Sequence, residues 1–199
     1  MRKSGVNREW ELVYISHLIK IKRLTTLVVG IILAAGSLGV VSAAEYSVGS
    51  GPDDWWTVYP DQHPNAGSEV DHPQWILDTL EEKPVLILDH SAGKCKACVD
   101  QESYVDAVLE DYGDDVTYEN LISGGSDQKA GELFDIYDPN GGKPFIPLTI
   151  VLTLVQDSDG NVVVGWYSME DAAGGEEMVR SHVGDAIDYH EENVENWDA

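Results

Sequence analysis

Continuous apolar runs bounded by turn residues predict the strands of this chain. Residues 84–90 read PVLILDH, which is typical of a strand buried on both faces of a sheet. Residues 115–122 predict a second strand. The runs 147–156 and 161–168 are joined by Ser158-Asp159-Gly160, turn residues that predict a β-hairpin.

Apolar residues at helical spacing predict four helices around these strands. They are expected at residues 73–83, 95–111, 127–137 and 174–191. From residue 84 onward, the order is β-α-β-α-β-β-α. This order predicts an α/β fold with a central mixed sheet, in which parallel strands come first, an antiparallel hairpin comes last, and helices cover both faces.

The first 44 residues have the pattern of an export signal. Residues 24–41 carry no charge, follow the basic residues Lys20, Lys22 and Arg23, and precede small residues at 42–44. Eighteen residues span about 27 Å as a helix, the lower limit for crossing a hydrocarbon core. Residues 1–44 are interpreted as a signal peptide or an uncleaved membrane anchor. Either would place the rest of the chain outside the cytoplasm, because the basic flank stays inside.

Residues 45–72 are rich in Gly, Pro and aromatic residues, and predict a linker followed by an aromatic-rich extension. We expect Trp55, Trp56 and Tyr59 to pack on the domain that follows at 73–199. The alternative is that these aromatic side chains line a ligand groove.

The charge of the exported part excludes one class of partner. Six basic and 34 acidic residues lie in 45–199, which gives a net charge of −28. Nucleic acid is therefore not an expected partner, because phosphate binding needs a basic surface. The acidic residues are spread along the domain, as in a solvated coat that tolerates high salt in halophiles. A partner-binding acidic surface is the alternative.

The two cysteines of the chain form a candidate redox pair. Cys95 and Cys98 lie three positions apart, just after a predicted buried strand and at the start of a predicted helix. A helix N-terminus stabilises a thiolate, and Lys94 and Lys96 add positive charge. We expect Cys95 to be exposed and acidic and Cys98 to lie one turn further into the helix, an arrangement of attacking and resolving thiols.

Three other interpretations of the pair stay open. A structural disulfide is one, although closing so short a loop restrains the unfolded chain little. A metal site, with His90 nearby, is another, although a tetrahedral set needs more ligands. An inactive pair in a binding module is the third. We expect no cofactor and no bound metal.

The chain resembles the thioredoxin superfamily over residues 84–190, by element order and by the position of the CxxC motif. Thioredoxins carry a buried acid six residues before the first cysteine, where this chain has Asp89. They also carry a cis-proline before the third strand, and Pro147 in Phe145-Ile146-Pro147 is similar to it.

The resemblance implies a role for each of these residues. It implies that Cys95 is the nucleophile, that Cys98 resolves, and that Asp89 accepts the proton of Cys98. Ile146 and Pro147 would shape the substrate groove. For Asp89 the alternative is a strand-end acid that reaches solvent. His90 replaces an aromatic residue of the family and is interpreted as a structural histidine, with redox tuning as the alternative.

The chain departs from the family around the cysteines. Lys94 replaces the usual tryptophan, Lys96-Ala97 replaces Gly-Pro, and the loop before Pro147 is longer. The redox potential and the partner are therefore not implied.

The sequence predicts an extracytoplasmic thiol-disulfide oxidoreductase that acts on protein thiols and disulfides, exchanges electrons with an unidentified redox partner, and is membrane-bound through residues 24–41 if uncleaved. The alternative function is a non-catalytic thioredoxin-fold binding module, one that handles metal through Cys95, Cys98 and a histidine.

Overall fold

A computed structural model describes residues 46–123, 128–143 and 145–198. The proposed export signal or anchor, residues 1–44, lies outside the described residues and stays a prediction. Among the helices that the structure describes, none is both long enough and apolar enough to cross a membrane.

The described residues form six strands, four α-helices and a terminal 3-10 turn. In chain order they are β1 (Val48–Gly49), β2 (Trp55–Trp56), α1 (Gln74–Leu80), β3 (Val85–His90), α2 (Lys96–Tyr112), β4 (Thr117–Ile122), α3 (Gln128–Tyr137), β5 (Leu148–Gln156), β6 (Val162–Glu170), α4 (Gly175–Asn193) and the 3-10 turn Val194–Asn196. Every element predicted from residue 73 onward is present. Helix α1 is shorter than predicted and ends at Leu80.

The six strands form one mixed sheet in the order β1-β2-β6-β5-β3-β4. Strands β3 and β4 are parallel, with Val85 opposite Thr117, whereas β5 is antiparallel to both β3 and β6. The predicted fold class, parallel strands first and an antiparallel hairpin last, is confirmed. Strand β3 lies between β4 and β5, which explains why all six of its residues are buried.

Helices cover both faces of the sheet, and each face has its own core. Helices α1 and α3 pack on the face that carries Ile87 and Ile150. Helices α2 and α4 pack on the opposite face, which carries Leu88 and Val151. Because successive side chains of a strand point to opposite faces, the two cores follow the odd and even positions of β3.

The aromatic extension adds two strands to the edge of the sheet. Trp56 lies opposite Trp166 of β6, and the two rings meet edge to face with centroids 4.9 Å apart. Trp55 and Trp56 are 6% and 3% exposed. A linker and an extension without strands were expected over residues 45–72, so these two strands are a correction. They are only two residues long, too short to show an alternating pattern.

Candidate redox site

The cysteine pair lies where β3 leads into α2. Cys95 and Cys98 form a disulfide with an S–S distance of 2.14 Å and a Cα–Cα distance of 5.2 Å. Cys95 is the N-cap of α2, in an extended conformation, and its Sγ accepts a hydrogen bond from the backbone N–H of Cys98 at 3.1 Å. The sulfur of Cys95 therefore occupies the place where a helix stabilises negative charge.

The two sulfurs differ in access to solvent. Cys98 is 2% exposed and lies on the core face of α2, together with Val105 and Val108. Cys95 is partly exposed. The Cys95 sulfur is therefore accessible to a partner molecule, whereas the Cys98 sulfur is shielded by the protein.

The two lysines beside Cys95 are exposed, and the structure shows a partner for Lys96. Its ammonium group forms an ion pair with Asp100, one turn further along α2. The hydrogen bond that Lys96 donates to the Asp100 carboxylate raises the pKa of Lys96. The Lys96 charge is therefore paired with Asp100. The backbone N–H of Cys98, 3.1 Å from the Cys95 sulfur, supplies positive potential at that sulfur.

Asp89 is fully buried near the end of β3. Its carboxylate accepts a hydrogen bond from the hydroxyl of Ser123. The expected alternative, an acid that reaches solvent, is wrong for this residue. By strand alternation its side chain points to the face of Ile87 and α3, whereas α2 covers the other face.

His90 is a buried, hydrogen-bonded histidine. It is 7% exposed, and its Nε2 lies 2.9 Å from Oδ1 of Asn120 on the neighbouring strand. Its carbonyl accepts the backbone N–H of Ser123 at 2.9 Å. These contacts fit the structural interpretation of His90.

The peptide bond between Ile146 and Pro147 is cis. Pro147 directly precedes β5, where Leu148 lies opposite Asp89, so this proline sits at the same end of the sheet as the cysteine pair. Its carbonyl accepts the backbone N–H of Asp171 at 2.9 Å.

A side-chain hydrogen bond ties the helix of the cysteines to strand β5. Nε2 of Gln101 donates to Oγ1 of Thr149 at 2.7 Å, and both residues are fully buried. Gln101 was not among the residues predicted from the sequence to belong to the site. Its signal was visible as a polar residue on the apolar face of α2, three positions after Cys98.

Two large apolar side chains near the site are exposed. Val99, next to Cys98, is 60% exposed, and Phe145, two residues before Pro147, is 59% exposed. The loop before Pro147 is held by Glu170, whose carboxylate accepts hydrogen bonds from the Asn140 amide and the Phe145 backbone N–H. Burial and the nearby Asp138 carboxylate raise the pKa of Glu170. The sequence did not point to Asn140, Asp138 or Glu170, because they come to lie near one another and near the loop before Pro147 only through the fold.

The described residues contain no group of three or more His, Cys, Asp or Glu side chains arranged to hold a metal ion.

Three observations together define the architecture: the strand order β6-β5-β3-β4, the CxxC pair between β3 and α2, and the proline before β5. The chain has a thioredoxin-like fold.

No protein-family model matches this thioredoxin-like chain, and no curated protein matches its sequence. Solved structures similar to it include chloroplastic thioredoxin z (10% identity, 58% of this chain and 87% of that one, TM-score 0.40). They also include the thioredoxin of Fasciola hepatica, with 12% identity, coverage of 57% of this chain and 89% of that one, and a TM-score of 0.39. The germline-specific thioredoxin Deadhead of Drosophila melanogaster has 12% identity, coverage of 56% of this chain and 89% of that one, and a TM-score of 0.35. The thioredoxin-like fold is evident from the strand order and from the cysteine position, independently of these scores.

Proposed function

We propose that this protein is an extracytoplasmic thiol-disulfide oxidoreductase that exchanges protein disulfides through Cys95 and Cys98. The observation that carries the proposal is the asymmetry of the pair. The partly exposed Cys95 sulfur caps helix α2 and accepts a hydrogen bond from a backbone N–H. The Cys98 sulfur, bonded to it in the disulfide, is buried. An attacking thiol and a protected resolving thiol are what disulfide exchange requires.

In the reducing direction, the Cys95 thiolate attacks one sulfur of a substrate disulfide. That bond breaks, the leaving sulfur takes up a proton, and a mixed disulfide forms on Cys95. Cys98 then loses its proton and attacks the Cys95 sulfur, which releases the second substrate thiol and forms the Cys95–Cys98 disulfide. Two electrons pass to the substrate, and the reverse sequence oxidises a dithiol. By its resemblance to the buried acid of thioredoxins, Asp89 is proposed as the acceptor of the Cys98 proton. This role rests on the resemblance and not on a contact, because the Asp89 side chain points to the sheet face opposite α2.

The substrate is proposed to be a protein disulfide that is flanked by apolar residues of the substrate protein. Ile146 and Pro147 would shape the groove, and the exposed side chains of Val99 and Phe145 supply apolar area near it. Val99 lies one helical turn after Cys95, whose carbonyl accepts the Val99 N–H at 3.2 Å. Because Val99 lies in the first turn of the helix that Cys95 caps, its exposed side chain is proposed to lie near the attacking sulfur.

The direction of exchange depends on a redox partner that either reduces or oxidises the pair. Residues 24–41 are proposed to carry the domain across a membrane and to anchor it if uncleaved, with Lys20, Lys22 and Arg23 left inside. Protease added outside intact cells is expected to degrade the domain. Degradation only after lysis would contradict the proposed location.

Trapping experiments test the chemistry directly. The reduced protein is incubated with a protein disulfide and analysed by mass spectrometry without reductant. The Cys98→Ser variant is expected to accumulate a mixed disulfide on Cys95, the wild type to turn over, and Cys95→Ser to do neither. An adduct that forms only through Cys98 would contradict the proposal. The proposal would also be contradicted if neither cysteine reacted faster than free cysteine. Tight stoichiometric metal binding by that unreactive protein would favour the binding-module alternative.

A further inference from the structure

Gln101 carries a buried oxygen that has no hydrogen-bond donor in the disulfide form. The side chain is fully buried, and its Nε2 is held by Thr149, yet Oε1 has no partner among the residues that the structure describes. Leaving a buried amide oxygen without a donor is costly, so such a group in a native protein calls for an explanation.

Gln101 and Cys98 share the core face of α2. The two residues are i and i+3 on the core face of α2, where Cβ atoms lie about 5–6 Å apart. Helical side chains lean toward the N-terminus and cover the preceding turn, so the Gln101 amide lies over the turn that contains Cys98. The bond to Thr149 fixes the amide and leaves its oxygen free to face that turn.

In the oxidised pair, the Cys98 sulfur carries no hydrogen and cannot donate. The backbone N–H of Cys98 is already directed to the Cys95 sulfur. Reduction by a dithiol, which is itself oxidised to a disulfide, supplies two electrons and two protons and breaks the S–S bond. Cys98 then carries an S–H group, a weak hydrogen-bond donor, on the same helix face as the Gln101 acceptor.

We propose that Oε1 of Gln101 accepts a hydrogen bond from the Cys98 thiol in the reduced protein, which makes Gln101 a positioning residue that favours the dithiol form. This inference rests on the proposed redox cycle of the pair. The bond exists only after reduction, so it stabilises one redox state and not the other. It also orients the Cys98 sulfur before that sulfur attacks the mixed disulfide.

Infrared spectroscopy of a single thiol tests the bond itself. In the reduced Cys95→Ser variant, Cys98 is the one remaining thiol, and its S–H stretching band is recorded. Adding Gln101→Leu is expected to move the band to higher frequency, because the acceptor is gone. If the band is the same with and without Gln101, the inference is wrong.

The redox equilibrium of the pair provides a second measurement. Gln101→Leu removes the bond from the reduced form and the partnerless oxygen from the oxidised form. Both effects favour the disulfide, so the equilibrium constant against glutathione is expected to shift toward the disulfide by about threefold to tenfold. A tenfold shift corresponds to about 30 mV. An unchanged constant would overturn the inference.

Thr153→Val is the matched control. Thr153 lies on the same strand and face as Thr149, is equally buried, and donates from Oγ1 to the Ala186 carbonyl at 2.6 Å. Its loss should lower the stability of both redox forms without moving the band or the equilibrium. If Thr153→Val shifts the equilibrium as much as Gln101→Leu does, the effect is structural and the inference fails.

A second variant and a readout that is independent of turnover distinguish failure of this inference from failure of the proposed function. If Gln101→Leu does not fold, Gln101→Met replaces it, because Met has similar length and lacks an amide oxygen. The infrared test needs neither Cys95 nor turnover. A protein that turns over substrate without a band shift contradicts only this inference, and a band shift without turnover contradicts only the proposed function.

Discussion

The backbone N–H of Cys98 donates a hydrogen bond to the Cys95 sulfur at 3.1 Å, so the first cysteine caps the helix that begins with Lys96. N-cap positions normally hold oxygen acceptors such as Ser or Asp. A sulfur in this place gains most from the N–H when it is negatively charged, because the helix N-terminus carries partial positive charge.

We therefore expect reduced Cys95 to be alkylated faster than free cysteine at pH 7, since thiolate and not thiol reacts. Iodoacetamide labelling of the reduced Cys98→Ser variant, followed by mass spectrometry, measures this rate. The Cys95→Ser variant is the control and is expected to label far more slowly, because Cys98 is buried. Equal labelling of both variants would contradict the asymmetry of the pair.

Asp89→Asn is expected to slow resolution of the mixed disulfide by roughly a hundredfold, the usual range for losing a general base. Attack by Cys95 should change by no more than about twofold. Rapid-quench kinetics, with the adduct followed by mass spectrometry, separates the two steps. Asp106→Asn is the control, because it removes a negative charge from the exposed face of α2 away from the cysteine pair and should leave resolution unaltered. A resolution rate that Asp89→Asn does not change would remove Asp89 from the mechanism.

Val99→Ser and Phe145→Ser are each expected to raise KM for protein disulfides about fivefold, because each loses roughly 1 kcal/mol of apolar burial on binding. The melting temperature should not fall, since both side chains are exposed in the free protein. Turnover of a small disulfide such as glutathione disulfide is the control and should be unaffected. Parallel losses on both substrates would show that these side chains act on the pair and not on substrate docking.

His72 should make stability depend on pH. Burial lowers the pKa of His72 to about 4, and its Nδ1 lies 2.8 Å from the Tyr137 hydroxyl. Below pH 6.5 the unfolded chain binds a proton at this histidine that the folded protein does not. The wild type should therefore lose about 2 kcal/mol between pH 7 and pH 5 relative to His72→Gln. Urea unfolding of both proteins at the two pH values measures the difference, and parallel curves would contradict the assignment.

Salt should stabilise the domain. Residues 45–199 carry a net charge of −28, and the described ion pairs engage Lys96, Lys129 and Arg180 with only a few of the acids. At 1 M salt the Debye length is about 3 Å, so repulsion among the remaining carboxylates is screened. The melting temperature is expected to rise substantially between dilute buffer and molar salt. A flat profile would mean that the charge is already compensated by a bound cation or partner.

The sequence by itself determined the order and type of the main elements and the place of the cysteine pair. These features are local. The apolar run 84–90 is buried on both faces when it forms a central strand of the sheet. The turn residues at 158–160 connect two adjacent apolar runs, which favours a β-hairpin. The position of Cys95 at a helix N-terminus followed from the same short stretch.

Only the tertiary structure decided which distant groups meet. Trp56 pairs with Trp166 of β6, more than a hundred residues away in sequence, and Gln101 donates a hydrogen bond to Thr149. The Asp89 side chain points to the sheet face opposite α2. The physical reason is that sequence periodicity records whether a side chain is buried, not against which residue. A polar residue on an apolar helix face has no evident partner in the sequence. The partner of Gln101 is identified only in the fold, where Thr149 of β5 packs against α2.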